Sequence, residues 1–220
     1  MIAIDGPSAS GKGTIASRVA RSLGFHYLES GALYRVLALV SLREGTTEEK
    51  RLAHLASHMD VEFAGGEVLL EDEDVSDKVR SEPCGVRASE VARLPAVRVA
   101  LLDRQRAFRR PPGLVADGRD MGTVVFPDAT VKIFLTASEE ARAARRAAEL
   151  RAKGVDEATI QAMAADLGRR DAADSSRKTA PLARAADAVA VDTSDMTLEQ
   201  VIDHVVELVQ SRAPRTVAAG

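Results

Sequence analysis

Cysteine occurs once in the 220 residues, at Cys84, and tryptophan not at all. One cysteine makes no internal disulfide and is too few for a cysteine-built metal site, so a reducing cytoplasm is the expected compartment. Aromatic residues are 3% of the chain, too sparse for the stacking platforms that hold single-stranded nucleic acid. No apolar run approaches the roughly 20 residues of a membrane span, and no basic stretch leading into an apolar one reads as a secretory signal. Charge of one sign is also missing. The net charge is -3, so the molecule as a whole attracts neither nucleic acid nor anionic membrane. Any anion it binds must be held by a local cluster of basic groups.

What is present is a chain 45% hydrophobic, enough for one globular domain with an insert. Apolar runs at 1–5, 25–28, 113–117, 130–135 and 188–191 read as strands. Helical spacing follows Lys12, with Ile15, Ala16, Val19, Ala20 and Leu23 on one face and Gly24 as the stop. Further helices are expected at 32–43, 47–59, 86–108 with a break near Pro95, 138–153 and 156–170. Thr197 and Gln200 form a capping box for a closing helix whose core face is Val201, Ile202, Val205 and Leu208/Val209. Residues 61–79, with alternating short runs and a Gly65-Gly66 turn, read as a small antiparallel β insert. The tail from Ala213 is expected to fray. Apolar strands alternating with helices imply a parallel sheet covered on both faces, with ligands beyond the strands' carboxyl ends. Three notable stretches fall there: GPSASGKGT, ESGALYR and DGRDMG.

The first, Gly6 to Thr14, is a phosphate-binding loop that departs from G-x-x-x-x-G-K-[ST] by one residue. Gly6, Gly11 and Lys12 are in register, but Gly13 fills the Ser/Thr slot and Thr14 comes one place late. Backbone amides of such a turn, continued by a helix N-terminus, cradle anionic oxygens, and the lysine follows a phosphate. Gly13 cannot ligate Mg²⁺ as a hydroxyl there would. Mg²⁺ is then expected through water or on Asp117, which ends an apolar strand, while Thr14 donates to a phosphate. Arg35, Arg98, Arg119, Arg170 and Arg177 are candidates for bidentate phosphate capture. Arg119 stands out, because it follows a strand end. RRDAADSSR, with Arg170, Asp174 and Arg177, is either a polar helix end with i,i+3 pairs or an arginine lid. From these residues three functions stay open: phosphoryl transfer to a nucleotide, phosphoryl transfer to another small acceptor such as a sugar acid, and a non-catalytic nucleotide-binding module.

Taken together, IDGPSASGKGT, ESGALYRVLAL, ASEVARLPAVR, ADGRDMGTVVFPDA and RDAADSSRKTAPL resemble bacterial cytidylate kinases, P-loop kinases of nucleoside monophosphates, over nearly the whole chain. In that family a glycine after the loop lysine is ordinary. The resemblance implies an α/β fold of P-loop NTPase type, a parallel five-stranded sheet flanked by helices, with a small antiparallel β insert in the monophosphate-binding region and a helical lid. It divides the chain into a core at 1–59 and 84–220, an insert at 60–83 and a lid at 154–180. It implies transfer of the ATP γ-phosphoryl group to CMP or dCMP with Mg²⁺, by a monomer with nucleotides as partners. ATP is assigned to Gly6, Pro7, Ser8, Ala9, Ser10, Gly11, Lys12, Gly13 and Thr14. CMP is assigned to Ser30, Arg35 and Arg119 at its phosphate, Ser89, Arg98 and Asp120 at the base, Arg170 and Asp174 near the sugar, and Arg177 on the transferring phosphates. Lys12, Arg119, Arg170 and Arg177 are the implied catalytic groups. Departures are Ala9 where glycine is frequent, Glu29 where aspartate is common, and Ala172-Ala173 with Ser175-Ser176 where charges are frequent.

Overall fold

The apolar stretch before the glycine loop is a strand, β1 (Ile2–Asp5), buried along its length. It lies between β6 (Leu114–Gly118) and β7 (Val131–Thr136), parallel to both, with Asp5 opposite Gly118 on one side and Phe134 on the other. With β2 (His26–Glu29) and β8 (Val189–Asp192) at the edges, the order is β2-β6-β1-β7-β8. The structure is a computed structural model and describes residues 1–64, 67–177 and 179–212, without the side chains at 64, 162–166 and 170. The Gly65-Gly66 turn and the tail from Ala213 lie outside the described residues.

The chain divides into two compact units, Met1–Leu28 with Arg109–Gly220, and Glu29–Phe108. In the first, helices α1 (Lys12–Leu23) and α9 (Leu198–Arg212) pack on the sheet. Ile15, Val19, Val201, Val205 and Val209 meet Ile2, Ile4, Val115, Ile133 and Val191 in one apolar cluster. Each such side chain, once buried, contributes about 1.5–3 kcal/mol, so this packing fixes where the loop between β1 and α1 must stand. The capping box forms as expected: Thr197 N–H donates to Gln200 at 2.8 Å and Gln200 N–H to Thr197 Oγ1 at 3.2 Å. Ser138 caps α7 (Glu139–Ala152) by accepting from Ala141 N–H.

The second unit holds α2 (Ser30–Glu44), α3 (Glu49–His58), α5 (Glu82–Val91) and α6 (Pro95–Ala107), with α2 on α5 and α3 on α6. It also carries the antiparallel sheet β3 (Val61–Ala64), β4 (Glu67–Leu70) and β5 (Glu73–Asp74). The strands stop short of the expected 61–79, because Ser76–Arg80 turns into a short helix, α4. Its Val75 and Val79 are both buried, four residues apart, and that spacing belongs to a helical turn.

Two more elements differ from the sequence expectation. Helix α8 (Glu157–Ser175) runs five residues past Arg170, so RRDAADSSR begins inside a helix. Within DGRDMG the chain enters a π-helical turn, Met121–Val125.

Candidate active site

Between β1 and α1 the loop is built for close approach. A Cβ at Gly6 would stand 2.4 Å from the Leu135 carbonyl oxygen, so the chain passes over β7 only because position 6 has no side chain. Gly11 takes φ +84 and caps α1, which has no side-chain cap and no acidic residue in its first turn. The first amides of a helix have no intrahelical acceptor, and with the helix dipole they favour an anion. Lys12 Nζ donates to Pro7 O at 3.2 Å, which lays the ammonium across the loop. Ala9 sits at φ +56, a left-handed backbone that glycine adopts freely and alanine does not. Ser10 Oγ is buried without a hydrogen-bond partner among the described residues.

Asp117 is the second-last residue of β6 and is buried. Tyr27 Oη lies 2.6 Å from its Oδ2 and 3.4 Å from Gly13 O, so one phenol ties the carboxylate to the helix start. Among the described residues no group of three or more His, Cys, Asp or Glu is placed to hold a metal ion. A buried carboxylate beside the loop, in no such group, fits Mg²⁺ that arrives on nucleotide phosphates and keeps several waters; it does not fit a metal cage built by protein alone.

Arg119 reaches the loop itself. Its Nη2 donates to Ser8 Oγ at 2.9 Å, and its Nε to Asp174 Oδ2 at 2.8 Å. Asp174 also pairs with Arg177 one helical turn on, so one carboxylate joins two guanidinium groups. Asp171, on the same face of α8, accepts from Ser8 N–H at 2.8 Å and pairs with the buried Arg142 of α7. Arg142 donates in addition to Ser8 O at 3.2 Å. The segment therefore is an ion-paired helix end, and its pairs run to the phosphate loop. The Arg170 side chain lies outside the described residues.

Asp120 is buried directly after Arg119. The next two amides, of Met121 and Gly122, each donate at 2.8 Å to one oxygen of Asp5. Burial pushes the Asp5 carboxyl up to about 6; the two amides and the Lys12 charge act against the rise, and the Asp120 charge adds to it.

The remaining expected residues lie in the second unit. Ser30 opens α2 and accepts from Gln105 Nε2 at 2.7 Å. Arg35 Nη1 donates to Val79 O at 2.9 Å, and its guanidinium lies against Gly85, where a Cβ would stand 3.3 Å from Nη1. Arg98 is buried, donates to Ala92 O at 3.2 Å, and sits 5.7 Å from the Tyr34 ring centre in a cation–π arrangement. Ser89 Oγ donates to Gly85 O at 3.2 Å. All four thus project from α2, α5 and α6 of one compact unit.

The family described as Cytidylate kinase matches residues 2–211. The chain belongs to the cytidylate kinase family. It is 50% identical to a cytidylate kinase of Azotobacter vinelandii, covering 96% of each chain. It is 54% identical to that of Bordetella bronchiseptica, covering 94% of this chain and 93% of the other. A solved structure of an uncharacterized protein from Eubacterium ventriosum shares the fold at TM-score 0.51 and 13% identity, covering 96% of this chain and 98% of that one.

Sequence reading did not reach Tyr27, Arg142 and Arg145, whose side chains hold the phosphate loop, and took Asp171 only as part of a polar stretch. Arg145 donates to Thr193 Oγ1 at 2.9 Å and to Ser10 O at 3.5 Å. It lines a cavity of about 340 Å³ beside the loop, with Ala9, Gly11, Thr14, Thr193 and Leu198. The basic run of α7 was visible in the sequence, but nothing local marks which of its arginines turn inward. Among the described residues no helix is long and apolar enough to cross a membrane.

Proposed function

We propose that this protein transfers the γ-phosphoryl group of ATP to CMP or dCMP, giving CDP or dCDP and ADP. The observation that carries the reading is Arg119, which follows β6, the strand paired beside β1, and donates to Ser8 of the phosphate loop at 2.9 Å. A guanidinium set on a phosphate cradle is the arrangement phosphoryl transfer requires, since that reaction is governed by positioning and by charge stabilisation.

The loop amides and Lys12 hold the β- and γ-phosphates of ATP, and the cavity beside Gly11 and Arg145 is open to the donor's base and sugar. Mg²⁺ bound to the nucleotide would be held through water by Asp117 and would draw charge off the phosphate oxygens. Arg170 and Arg177 offset the charge that grows on the transferring group, and Arg119, in the unit with the main sheet, holds the acceptor phosphate in line with it. In the unit Glu29–Phe108, Ser30 and Arg35 take the acceptor phosphate, while Ser89 and Arg98 take cytosine. In the unit with the main sheet, Asp120 accepts from the exocyclic amine that uracil lacks, and Asp174 serves the sugar. No strong base is needed, because the acceptor oxygen of a monophosphate is already anionic. We place the protein in the cytoplasm, as a monomer working on nucleotides and not on nucleic acid. Residues 154–180 would serve as its lid.

An ADP-release assay across CMP, dCMP, UMP and AMP tests this. CMP and dCMP should drive turnover, UMP poorly, and Asp120→Ala should narrow that gap. Arg119→Ala should slow transfer by about 10²–10³-fold, the scale for removing one preorganised donor to a transition state. ATP binding without turnover on any pyrimidine monophosphate would overturn the reading and leave a kinase for another small acceptor or a nucleotide-binding module.

A further inference from the structure

Asp5 is the last residue of β1 and the residue before the phosphate loop, yet its side chain serves another segment. Its two oxygens accept from Met121 and Gly122 amides, 116 and 117 residues away, each at 2.8 Å. Its backbone is paired in register with Gly118. Asp5 therefore grips the chain on both sides of Arg119 and Asp120: by strand pairing just before them and by its carboxylate just after. The bend between the two grips is tight. Cβ atoms built at Gly118 and Gly122 would meet Met121 Cε at 2.9 Å and Lys132 Cδ at 3.2 Å.

The geometry points to Asp5 as a positioning residue for acceptor binding, one that fixes the backbone presenting Arg119 and Asp120 and ties it to the start of the phosphate loop. The inference rests on the reading of Arg119 and Asp120 as CMP-binding residues. Two features set this apart from a cap that only adds stability. The two amides open a turn of five residues, too short to require a buried carboxylate from a distant strand. A buried carboxylate is also a poor stabiliser, because desolvation opposes its charged form; here burial drives the carboxyl upward in spite of two amide donors. Stability alone asks only for an acceptor at the two buried amides, which a neutral oxygen would supply without burying a charge. What the carboxylate adds is a fixed direction for the two residues that precede the turn.

The test is Asp5→Asn, which keeps the shape and one acceptor but turns an NH₂ toward one of the two amide donors. The KM for CMP should rise about 10- to 100-fold, the range for losing one hydrogen bond to a charged acceptor. The KM for ATP should stay within roughly 2-fold or fall, since the loop's amides and the Lys12 bond to Pro7 remain and the substitution only removes a negative charge near Lys12. An unchanged CMP KM overturns the proposal. So does a parallel loss of ATP affinity, CMP affinity and thermal stability, because that pattern belongs to a merely structural role. If Asp5→Asn does not fold, Asp5→Glu takes its place: the charge is kept, the carboxylate is displaced by one methylene, and the same CMP-confined loss is expected. Arg119→Ala run in parallel separates the two levels. If it raises the CMP KM and Asp5→Asn does not, only the role of Asp5 fails. If it leaves the CMP KM alone, the acceptor-site reading fails, and the role of Asp5 with it.

Discussion

Gly6→Ala is the substitution whose consequence follows most directly from measured distances. The added Cβ would lie 2.4 Å from Leu135 O, 3.3 Å from Leu135 C and 3.2 Å from Ser10 Oγ. Backbone carbonyl, unlike the end of a flexible side chain, does not move aside. β7 is held by parallel pairing to β1 from Ile2↔Val131 to Asp5↔Phe134 and to β8 on its other edge. The retreat therefore falls on the loop. A carbon reaches an ordinary contact with a carbonyl oxygen at roughly 3.3 Å, so position 6 must lift by about 0.9 Å. Overpacking of this kind costs about 1–3 kcal/mol, a fall in Tm of roughly 2–12 °C for a chain of this size. The kinetic loss should be larger. Misplacing bound reactants by 1 Å costs about 10²-fold, and the loop amides that hold the phosphates begin at the displaced residue. Thermal unfolding read by circular dichroism, alongside ADP release with saturating CMP, measures both quantities. Gly168→Ala is the control: it lies in α8 with open space around its Cβ, and there alanine should stabilise by up to about 1 kcal/mol. A Gly6→Ala protein with wild-type Tm and turnover would refute the steric argument and with it the claim that the loop height is set by Leu135.

Three further predictions address the same region. Ala9 at φ +56 carries left-handed strain, worth roughly 1–2 kcal/mol for an L-residue against the 0.5–1 kcal/mol that glycine loses in chain entropy; Ala9→Gly should thus be neutral or stabilising by up to about 1 kcal/mol in urea unfolding, and a loss beyond that sinks the reasoning. Asp5, held at about 6 against 3.8, keeps its proton longer folded than unfolded, so its contribution favours folding below about pH 4 and fades as pH rises through 6. The rise corresponds to roughly 3 kcal/mol, and the stability of the wild type relative to Asp5→Asn should fall by up to that amount between pH 4 and 7; a difference that stays flat contradicts it. Gly13→Ser should fold and bind ATP with Tm within about 2 °C of wild type, because its Cβ would meet only Tyr27 Oη at 3.6 Å and Asp117 Oδ2 at 3.9 Å; a loss above about 2 kcal/mol would show that the position tolerates no side chain.

What the sequence disclosed and what it concealed divide by range. β1, α1 with its Gly24 stop, the Ser138 cap and the Thr197–Gln200 box are written in residues within one or two turns of each other, so periodicity and cap chemistry reveal them. The glycine loop was visible for the same reason. The contacts that aim the site are not local. Asp5 to Met121, Tyr27 to Asp117 and Ser8 to Asp171 span 116, 90 and 163 residues. Nothing in the neighbourhood of Asp5 separates a strand-end aspartate that starts a turn from one that grips a distant chain. The helix at Ser76–Arg80 was hidden for a different reason: five residues hold too little of a 3.6 period to compete with the alternating pattern before it.

The end of α8 shows how the departures from the family pattern bear on the site. Asp171, Asp174 and Arg177 recur at i, i+3 and i+6, which places them on one helical face. Asp171 and Asp174 are buried, and they carry the pairs to Arg142 and Arg119 and the bond to the Ser8 amide. Ala172, Ser175 and Ser176 are exposed and Ala173 only half-buried. The small residues therefore stand where the helix turns away from the loop, and charges at exposed positions would contribute little through solvent. The buried residues are paired at close range, with one positive charge in excess: Asp174 answers both Arg119 and Arg177, and Asp171 answers Arg142. Two guanidinium groups already arranged around one carboxylate need little reordering to accept phosphate oxygens instead, since both acceptors present paired anionic oxygens to a planar fork. On this argument the small residues thin the outer face of α8 and leave the ion pairs on its inner face in place.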